Sequence, residues 1–147
     1  MARGAMGVAL KGARAHIRRL QALTSETTRR EIGQAVFAAA DAIRVEAQIS
    51  ITRGSVSGKG HVPSKPGEPP MNDTGTLAGY INVEHKSGTL RATVRSDAEY
   101  AAALEFGTSK VAARPYFRPA RDKIKPEAQR LVQKALNRAV KRSRRSD

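Results

Sequence analysis

The spacing of apolar residues changes along this chain and divides it into helical and extended parts. In residues 8–23 apolar side chains recur at every third or fourth position, with arginines on the other faces, which predicts a short amphipathic helix. A second pattern of this kind runs from Thr28 to about Ile51, and Thr28 with Glu31 fits the capping box that begins many helices. The many alanines in this second stripe predict a close approach to a neighbouring element.

Residues 53–75 have a composition that regular elements do not tolerate. The segment holds five glycines and four prolines, so it can form neither a helix nor a central strand. A loop of this length is unusual in a compact domain. The segment is expected to be either disordered or an extended arm that docks on another surface.

After this loop the apolar period changes from helical spacing to two. Apolar and polar residues alternate in 81–85 and again in 90–94, and Ser87 with Gly88 is placed between them as a turn. The pattern predicts an antiparallel hairpin with one buried face.

The last part of the chain returns to helical spacing. A short helix is predicted near 98–104, brief strands at 105–108 and 116–117, and a second long helix from Arg118 onwards. Pro126 either kinks this helix or marks its true start. The basic residues after Val140 are expected to fray.

Together these elements predict one α+β domain over residues 1–140, in which a short antiparallel sheet packs against two longer helices. The long Pro/Gly-rich loop at 53–75 belongs to this domain, and a basic tail follows at 141–147. A chain of 147 residues is long enough to bury a single core. It contains no stretch approaching 18 apolar residues, so no membrane-spanning helix is expected, and the N-terminus lacks the apolar run of a secretory signal.

The net charge of +14 is distributed unevenly. Residues 1–31 carry +5 and residues 111–147 carry +9, while residues 32–110 have eight basic and eight acidic side chains and are neutral. Such an excess of positive charge favours binding to polyanions, above all to nucleic acid. Basic faces that are simply solvated would produce the same composition. The aromatic residues are few and do not alternate with the basic runs, which argues against a stacking platform for single strands.

Candidate chemistry is sparse. The chain has no cysteine, its three histidines do not pair at metal-ligand spacing, and the stretch from Gly54 to Gly60 departs from the phosphate-binding loop in spacing and context. Glu105 is the most notable acid, but it has no obvious acid or base partner for catalysis. A buried Glu105 is better explained by pairing with an arginine, Arg114 or Arg118, or with backbone N–H groups. We therefore expect no enzyme, no metal and no cofactor.

Several short motifs together resemble one protein family. Residues 64–70 (SKPGEPP) and 73–77 (DTGTL) are similar to the PGxPP and TGxL segments of phage head–tail joining proteins, the minor tail components or tail-completion proteins of long-tailed phages and prophages. Residues 100–108 and the box RPYFRPA at 114–120 resemble the YA, EFGT and RPF segments of the same family, in the same order. The glycine-rich stretch 54–60 and the basic end 141–145 are outside this pattern.

The resemblance implies a structural virion protein that acts at the head–tail interface. It implies a small α+β fold and a ring, commonly of six subunits, that ends the tail tube and joins it to the neck. The implied partners are other copies of the chain, the tail tube protein and the neck or connector proteins, with DNA passing through the lumen. The implied location is the virion, and the host cytoplasm during assembly. The alternative function is a basic protein that binds DNA without sequence preference, and a nuclease is a third and weaker alternative.

Two sets of residues follow as site candidates. The apolar segment before Gly107 predicts a rigid corner in which this glycine permits a tight turn. The first set contains the motif residues that would form this corner, the loop arm or the subunit contacts: Pro66, Gly67, Pro69, Pro70, Gly75, Leu77, Tyr100, Glu105, Phe106, Gly107, Thr108, Pro115, Phe117 and Pro119. The second set contains cations that could face DNA: Lys59, Lys65, Arg91 and Arg95. In a ring, the neutral middle would supply the contacts between subunits, because contacts through the basic ends would repel.

Overall fold

The protein is an α+β structure with two long helices, as the sequence predicts. The computed structural model describes the backbone of residues 6–145 and the side chains of residues 12–145. Within these residues the helices and strands are α1 (Met6–Leu23), α2 (Glu26–Thr52), α3 (Thr76–Gly79), β1 (Ile81–His85), β2 (Ala92–Ser96), α4 (Ala101–Phe106) and α5 (Phe117–Arg145). The long loop between α2 and α3 contains a single 3-10 turn at Gly58–Gly60.

Helix α2 begins earlier than the predicted capping box. Ser25 is the N-cap, and its hydroxyl accepts the backbone N–H of Thr28 at 3.3 Å. Thr28 lies inside the helix, where its own buried hydroxyl donates to the carbonyl of Ala22 at 2.8 Å. The capping-box prediction is therefore wrong, because Ser25 offers an earlier cap and Glu31 pairs with Arg142 of α5 instead of reaching back. The helix ends at Thr52, before Gly54, as predicted.

Helices α2 and α5 run antiparallel and form the main packing of the fold. Two ion pairs join them, Lys123 to Glu46 at 2.7 Å and Arg142 to Glu31 near the other end. The buried residues between and around them are largely small, and the buried alanines of the two helices are Ala39, Ala40, Ala47, Ala120, Ala135 and Ala139. Because alanine has the shortest apolar side chain, the two backbones can approach closely, which agrees with the predicted role of the alanines in α2.

The sheet contains β1 and β2 in antiparallel register, with Ile81 opposite Ser96 and His85 opposite Ala92. Burial alternates along both strands, so one face packs inward and the other, with Glu84 and Arg95, is exposed. The second strand begins at Ala92 and not at Leu90, which is 55% exposed in the turn. The connecting turn is therefore longer than the two-residue hairpin that Ser87 and Gly88 suggested.

The core lies where α2, the sheet, α4 and the start of α5 meet. Its largest fully buried side chains are Tyr116, Ile51 and Ile81. Leu77 from α3 joins the same cluster and is 5% exposed. Because large apolar residues are few, the buried ring of Tyr116 contributes much of the apolar packing in this core.

Two predicted strands are absent in the described residues. Glu105 and Phe106 complete α4, and Tyr116 and Phe117 stand at the beginning of α5. The predictions failed because each segment is only a few residues long, and tertiary contacts override local strand propensity at such lengths.

Helix α5 also continues further than expected. Pro126 lies inside it, so the alternative that Pro126 marks the start is wrong. The helix continues past Val140 to Arg145, and Ser143 is only 3% exposed. The contact of Arg142 with α2 explains this extension. Residues 146 and 147 of the predicted tail lie outside the described residues.

Candidate functional site: the corner between α4 and α5

The chain reverses direction between α4 and α5 through a tightly bonded turn. The N–H of Thr108 donates to the carbonyl of Val111 at 2.8 Å, and the N–H of Arg114 donates to the carbonyl of Leu104 at 2.6 Å. The hydroxyl of Thr108 accepts the N–H groups of Lys110 and Val111 at 3.2 and 3.1 Å. Thr108 therefore closes this turn through both its backbone and its side chain.

Gly107 makes the turn sterically possible. Its backbone has φ +74° and ψ 173°, a region that is essentially restricted to glycine. A Cβ atom at this position would lie 3.0 Å from the amide nitrogen of Ala113 and 3.0 Å from the carbonyl oxygen of Val111. Both neighbours are backbone atoms of the same turn, so they cannot move aside without opening it. The predicted need for glycine at 107 thus has a physical basis.

Glu105 holds the first turn of α5. Its carboxylate is buried, at 8% exposure, and accepts three backbone N–H groups: Tyr116 at 2.9 Å and Phe117 at 3.0 Å on Oε2, and Arg118 at 2.9 Å on Oε1. These are the donors that the start of a helix leaves without intrahelical partners. A negative charge is also favoured at a helix N-terminus by the helix dipole. Glu105 therefore caps α5 from a different helix.

This geometry decides between the two interpretations of Glu105. Of the alternatives, backbone N–H groups are its partners, and Arg118 contributes its main chain. No ion pair joins Glu105 to the guanidinium of Arg114 or Arg118 among the described residues. The pairing with either arginine side chain is therefore wrong.

The two prolines of the RPYFRP box complete the same cap. Pro115 and Pro119 have no backbone N–H, and Pro119 lies in the first turn of α5, where an N–H would have no helical partner. The next donor, Ala120, bonds to the carbonyl of Tyr116 at 3.3 Å. Every N–H from Tyr116 to Ala120 is thus either bonded or absent, so the start of α5 is fully satisfied.

Tyr116 and Phe117 anchor the corner in the core. Tyr116 is fully buried, and its ring centroid lies 4.6 Å from that of Phe117. Burial raises the pKa of the Tyr116 hydroxyl, an effect that the nearby Ser96 side chain only partly offsets. The two hydroxyls do not reach hydrogen-bond geometry, and the Tyr116 hydroxyl has no partner among the described residues.

The Pro/Gly-rich loop packs on the same corner instead of extending freely. The N–H of Gly67 donates to the carbonyl of Ala113 at 2.9 Å, and that of Asn72 donates to the carbonyl of Ile51 at 2.8 Å. Pro70 is buried, whereas Pro66 and Gly67 are exposed. The sequence allows either disorder or docking for this segment. The structure shows docking, and the segment docks on another part of the same chain.

The remaining loop candidates lie where the loop joins α3. Pro69 is half-buried beside Pro70, and Gly75 is the exposed N-cap of α3. Leu77, in the first turn of α3, is a core residue. The structure thus gives Pro70 and Leu77 packing positions, and leaves Pro66, Gly67 and Gly75 on the surface.

An apolar groove with a volume of about 540 Å³ opens beside the corner. Its apolar lining includes Ile43 of α2, Val94 of β2, Ala101 of α4 and Phe117 of α5, together with Phe106. The charged residues Glu105, Arg118 and Arg121 also line it. Phe106 is 71% exposed and Tyr100 is 47% exposed. Glu105 therefore makes its contacts inside the fold, whereas Phe106 and the N-cap residue Tyr100 face outward.

A comparison with known protein families identifies the family of this chain. A model of the family described as "Bacteriophage HK97-gp10, putative tail-component" matches residues 14–107, which is more than half of the chain. The chain belongs to the HK97-gp10-like family. No curated protein sequence and no solved structure matches the chain.

The family assignment confirms the resemblance to phage tail components. The matched residues cover most of α1, all of α2, the loop, the sheet and α4, and they end at Gly107. The RPYFRPA box and α5 lie beyond the match. Glu105 links the two parts, because it lies inside the matched residues and caps the helix outside them.

The four cations suggested to face DNA lie on three different parts of this HK97-gp10-like chain: the sheet, the hairpin turn and the long loop. Arg95 pairs with Glu84 at 2.7 Å and with Asp97 at 3.0 Å on the exposed face of the sheet. The hairpin turn that carries Arg91 packs beside Gly33, whereas Lys59 and Lys65 are in the loop that follows Thr52. Gly33 and Thr52 are about 28 Å apart along α2 at the helical rise per residue. The DNA-facing role of these four residues stays a prediction.

Sequence reasoning missed the groove. Ile43 and Val94 occupy ordinary apolar positions of a helix and a strand, and nothing in their periodicity marks them as surface residues. For the described residues, no group of three or more His, Asp or Glu side chains could hold a metal ion. Nor is any helix there both long and apolar enough to cross a membrane.

Proposed function

We propose that this HK97-gp10-like protein forms a closed ring at the head–tail interface of the virion, where it ends the tail tube and joins it to the neck. Membership in a family of phage tail components supports a structural role in the virion. The further steps, the ring, its position and its role in ending tail growth, are our inference. We infer that the protein acts by assembly and not by catalysis.

The observation that carries the proposal is the exposed Phe106 beside an apolar groove in the neutral part of the chain. An aromatic ring that is 71% exposed gains much from burial against another surface. A ring requires one surface to bind a different surface of the next copy. Phe106, Tyr100 and the groove walls supply apolar area for such a contact.

The charge distribution favours the same part of the molecule. Six copies of a +14 chain carry +84 in total, so contacts between basic surfaces would repel. Residues 32–110 carry no net charge and contain Phe106 and most of the groove. Contacts through this region involve only the start of α5, at Phe117, Arg118 and Arg121, and leave its basic second half away from the subunit boundaries.

Our proposal for the partners follows from this arrangement. One face of a six-membered ring would contact the tail tube protein and the other would contact the neck or connector proteins, with DNA passing through the opening. The exposed part of the loop, including Pro66 and Gly67, would reach a neighbouring subunit. The protein would be made in the host cytoplasm and retained in the virion.

The direct test locates the chain in intact particles by electron microscopy, with an epitope tag on the chain. We expect copies around the axis where tail and head join, touching through residues 32–110. Copies that touch mainly through their termini, or that do not encircle an axis, would contradict the proposal.

A second test uses purified protein and measures mass by light scattering at equal concentrations. Phe106→Ala should lower the oligomer fraction if wild-type protein forms rings. Leu136→Ala is the matched control, because Leu136 is 40% exposed but belongs to the basic helix α5. If Leu136→Ala disrupts rings and Phe106→Ala does not, the interface is on the other part of the molecule.

A further inference from the structure

Helix α5 carries an arc of exposed cations that none of the sequence motifs includes. Its members are Arg130, Lys134, Arg138, Lys141 and Arg145. Among the described residues none of the five forms an ion pair within 4 Å. After Glu127 the helix contains no acidic residue. Arg142, in the same half of α5, pairs with Glu31, but the cations of the arc carry no partner charge within this distance in the part of the chain that the structure describes.

The spacing gives these charges a regular geometry. Successive members are four, four, three and four residues apart, so at 100° per residue they lie within an arc of about 80°. The first and last are separated by about 22 Å along the axis. The arc is centred about 120° from the buried face of α5, which contains Ala135 and Ala139. This basic arc is consequently a band of charges along an exposed helix face.

We propose that this basic arc binds the sugar–phosphate backbone of double-stranded DNA without regard to base sequence. Duplex DNA carries one phosphate charge per about 1.7 Å of its axis, so a band of cations about 22 Å long faces a dense negative charge whatever the base sequence. The proposal does not depend on the ring, because a single subunit carries the complete arc.

The composition of the arc separates duplex DNA from other anionic partners. The arc contains no large apolar or aromatic side chain, whereas protein interfaces are usually anchored by such residues. The chain has no aromatic residue after Phe117, so α5 offers no surface on which the bases of a single strand could stack. Leu136 and Val140 are exposed on a different face of the helix, which leaves the arc itself without groups that insert into a lipid surface.

The test compares two variants that lose the same charge. The first is the triple variant Arg130→Gln, Lys134→Gln, Arg138→Gln, in which glutamine preserves helix propensity. The matched control is Lys59→Gln, Lys65→Gln, Arg91→Gln, which removes three exposed cations outside the arc. Circular dichroism of both variants checks that the helices are retained.

Binding is measured by fluorescence anisotropy with two labelled 30-base-pair duplexes of different sequence, between 50 and 200 mM KCl. Wild-type protein should bind both duplexes equally, with an affinity that falls steeply with salt. The arc variant should lose at least about tenfold in affinity, and the slope of log K against log salt should flatten by about 2.7 per bound subunit. The control variant should retain most of the wild-type slope.

Several results would overturn the proposal. They are wild-type protein that does not bind duplex DNA at 50 mM KCl, equal losses in the two variants, an unchanged salt slope in the arc variant, and a clear preference for one duplex. Binding to vesicles with anionic phospholipids but not to DNA would also overturn it. A monomeric wild-type protein that binds DNA as expected would leave this proposal intact while contradicting the ring.

Discussion

The Glu105 cap is the feature of this fold that a single substitution tests most sharply. Glu105→Gln keeps the size of the side chain but replaces the buried carboxylate by an amide, whose NH2 group must face N–H donors. Hydrogen bonds to charged groups contribute about 1.5–3 kcal/mol each, and loss of an N-cap typically costs about 0.5–2 kcal/mol. The amide oxygen can take the place of Oε2 and still accept from two of the three donors, but without the negative charge, while the NH2 group faces the N–H of Arg118. We therefore expect the free energy of unfolding to fall by about 2–3 kcal/mol.

Urea denaturation followed by circular dichroism at 222 nm measures this change at one protein concentration, since ring formation would otherwise alter the apparent stability. For a chain of this size the melting temperature should fall by about 4–12 °C. The matched control is Glu84→Gln, which also removes one negative charge but only from an exposed pair with Arg95. That pair should contribute less than about 1 kcal/mol.

Two outcomes would refute the reasoning. If Glu105→Gln and Glu84→Gln destabilise the protein equally, the three backbone contacts do not have the strength that the geometry indicates. If the double variant Glu105→Arg, Arg118→Glu restores the stability lost in Glu105→Arg, the partner is the arginine side chain and not the helix start.

Two further predictions concern the turn and the helix pair. Gly107→Ala should destabilise the fold by about 3 kcal/mol or more in thermal melts, because its backbone conformation is restricted to glycine and a Cβ would press on the turn. The control is Gly54→Ala, which has φ +72° but open space around it and should cost only about 1–2 kcal/mol. Equal losses in the two variants would contradict the role of the close contacts at Gly107. The hydrogen bond from Arg142 lowers the pKa of Glu31 from 4.5, so this pair stabilises the fold above that pH and the contribution is lost as pH falls through the lowered pKa. Glu31→Gln should therefore be less stable than wild type at pH 7, by less than about 1 kcal/mol. In urea titrations this difference should shrink as the pH falls through the lowered pKa, and a difference that grows in acid would contradict the pairing.

The sequence predicts the long-range architecture better than the boundaries of its elements. Helical spacing over many residues identifies α2 and α5, and alternation identifies the hairpin, because both patterns repeat often enough to outweigh local exceptions. The errors occur where a tertiary partner decides. Thr28 and Glu31 have the spacing of a capping box, but Ser25 is the N-cap and Glu31 forms an ion pair with Arg142. The end of α5 was placed too early for the same reason, because a contact 111 residues away holds it.

The candidate site could be predicted in part. The position of Gly107 after an apolar segment predicts its role in a turn, and the sequence offers backbone N–H groups as one set of partners for Glu105. Their convergence on the first turn of α5 could not be predicted, because it depends on how the chain folds back between positions 105 and 118. The groove was missed since it is formed by Ile43, Val94 and Phe117, which three different elements contribute.

The corner also fixes how the two proposed surfaces lie relative to each other. Phe106 directly follows Glu105 in α4, and the carboxylate of Glu105 bonds to the first turn of α5, which carries the basic arc further along the same helix. The buried hydrogen bonds of Glu105 thus join α4, which carries Phe106, to α5, which carries the arc. Because three hydrogen bonds and the packing of Tyr116 define that contact, α5 cannot rotate about its own start without exposing buried groups. A subunit held in a ring through Phe106 would therefore present its arc at a fixed angle, the same in every copy, and this is the arrangement that a passage for a regular polyanion requires.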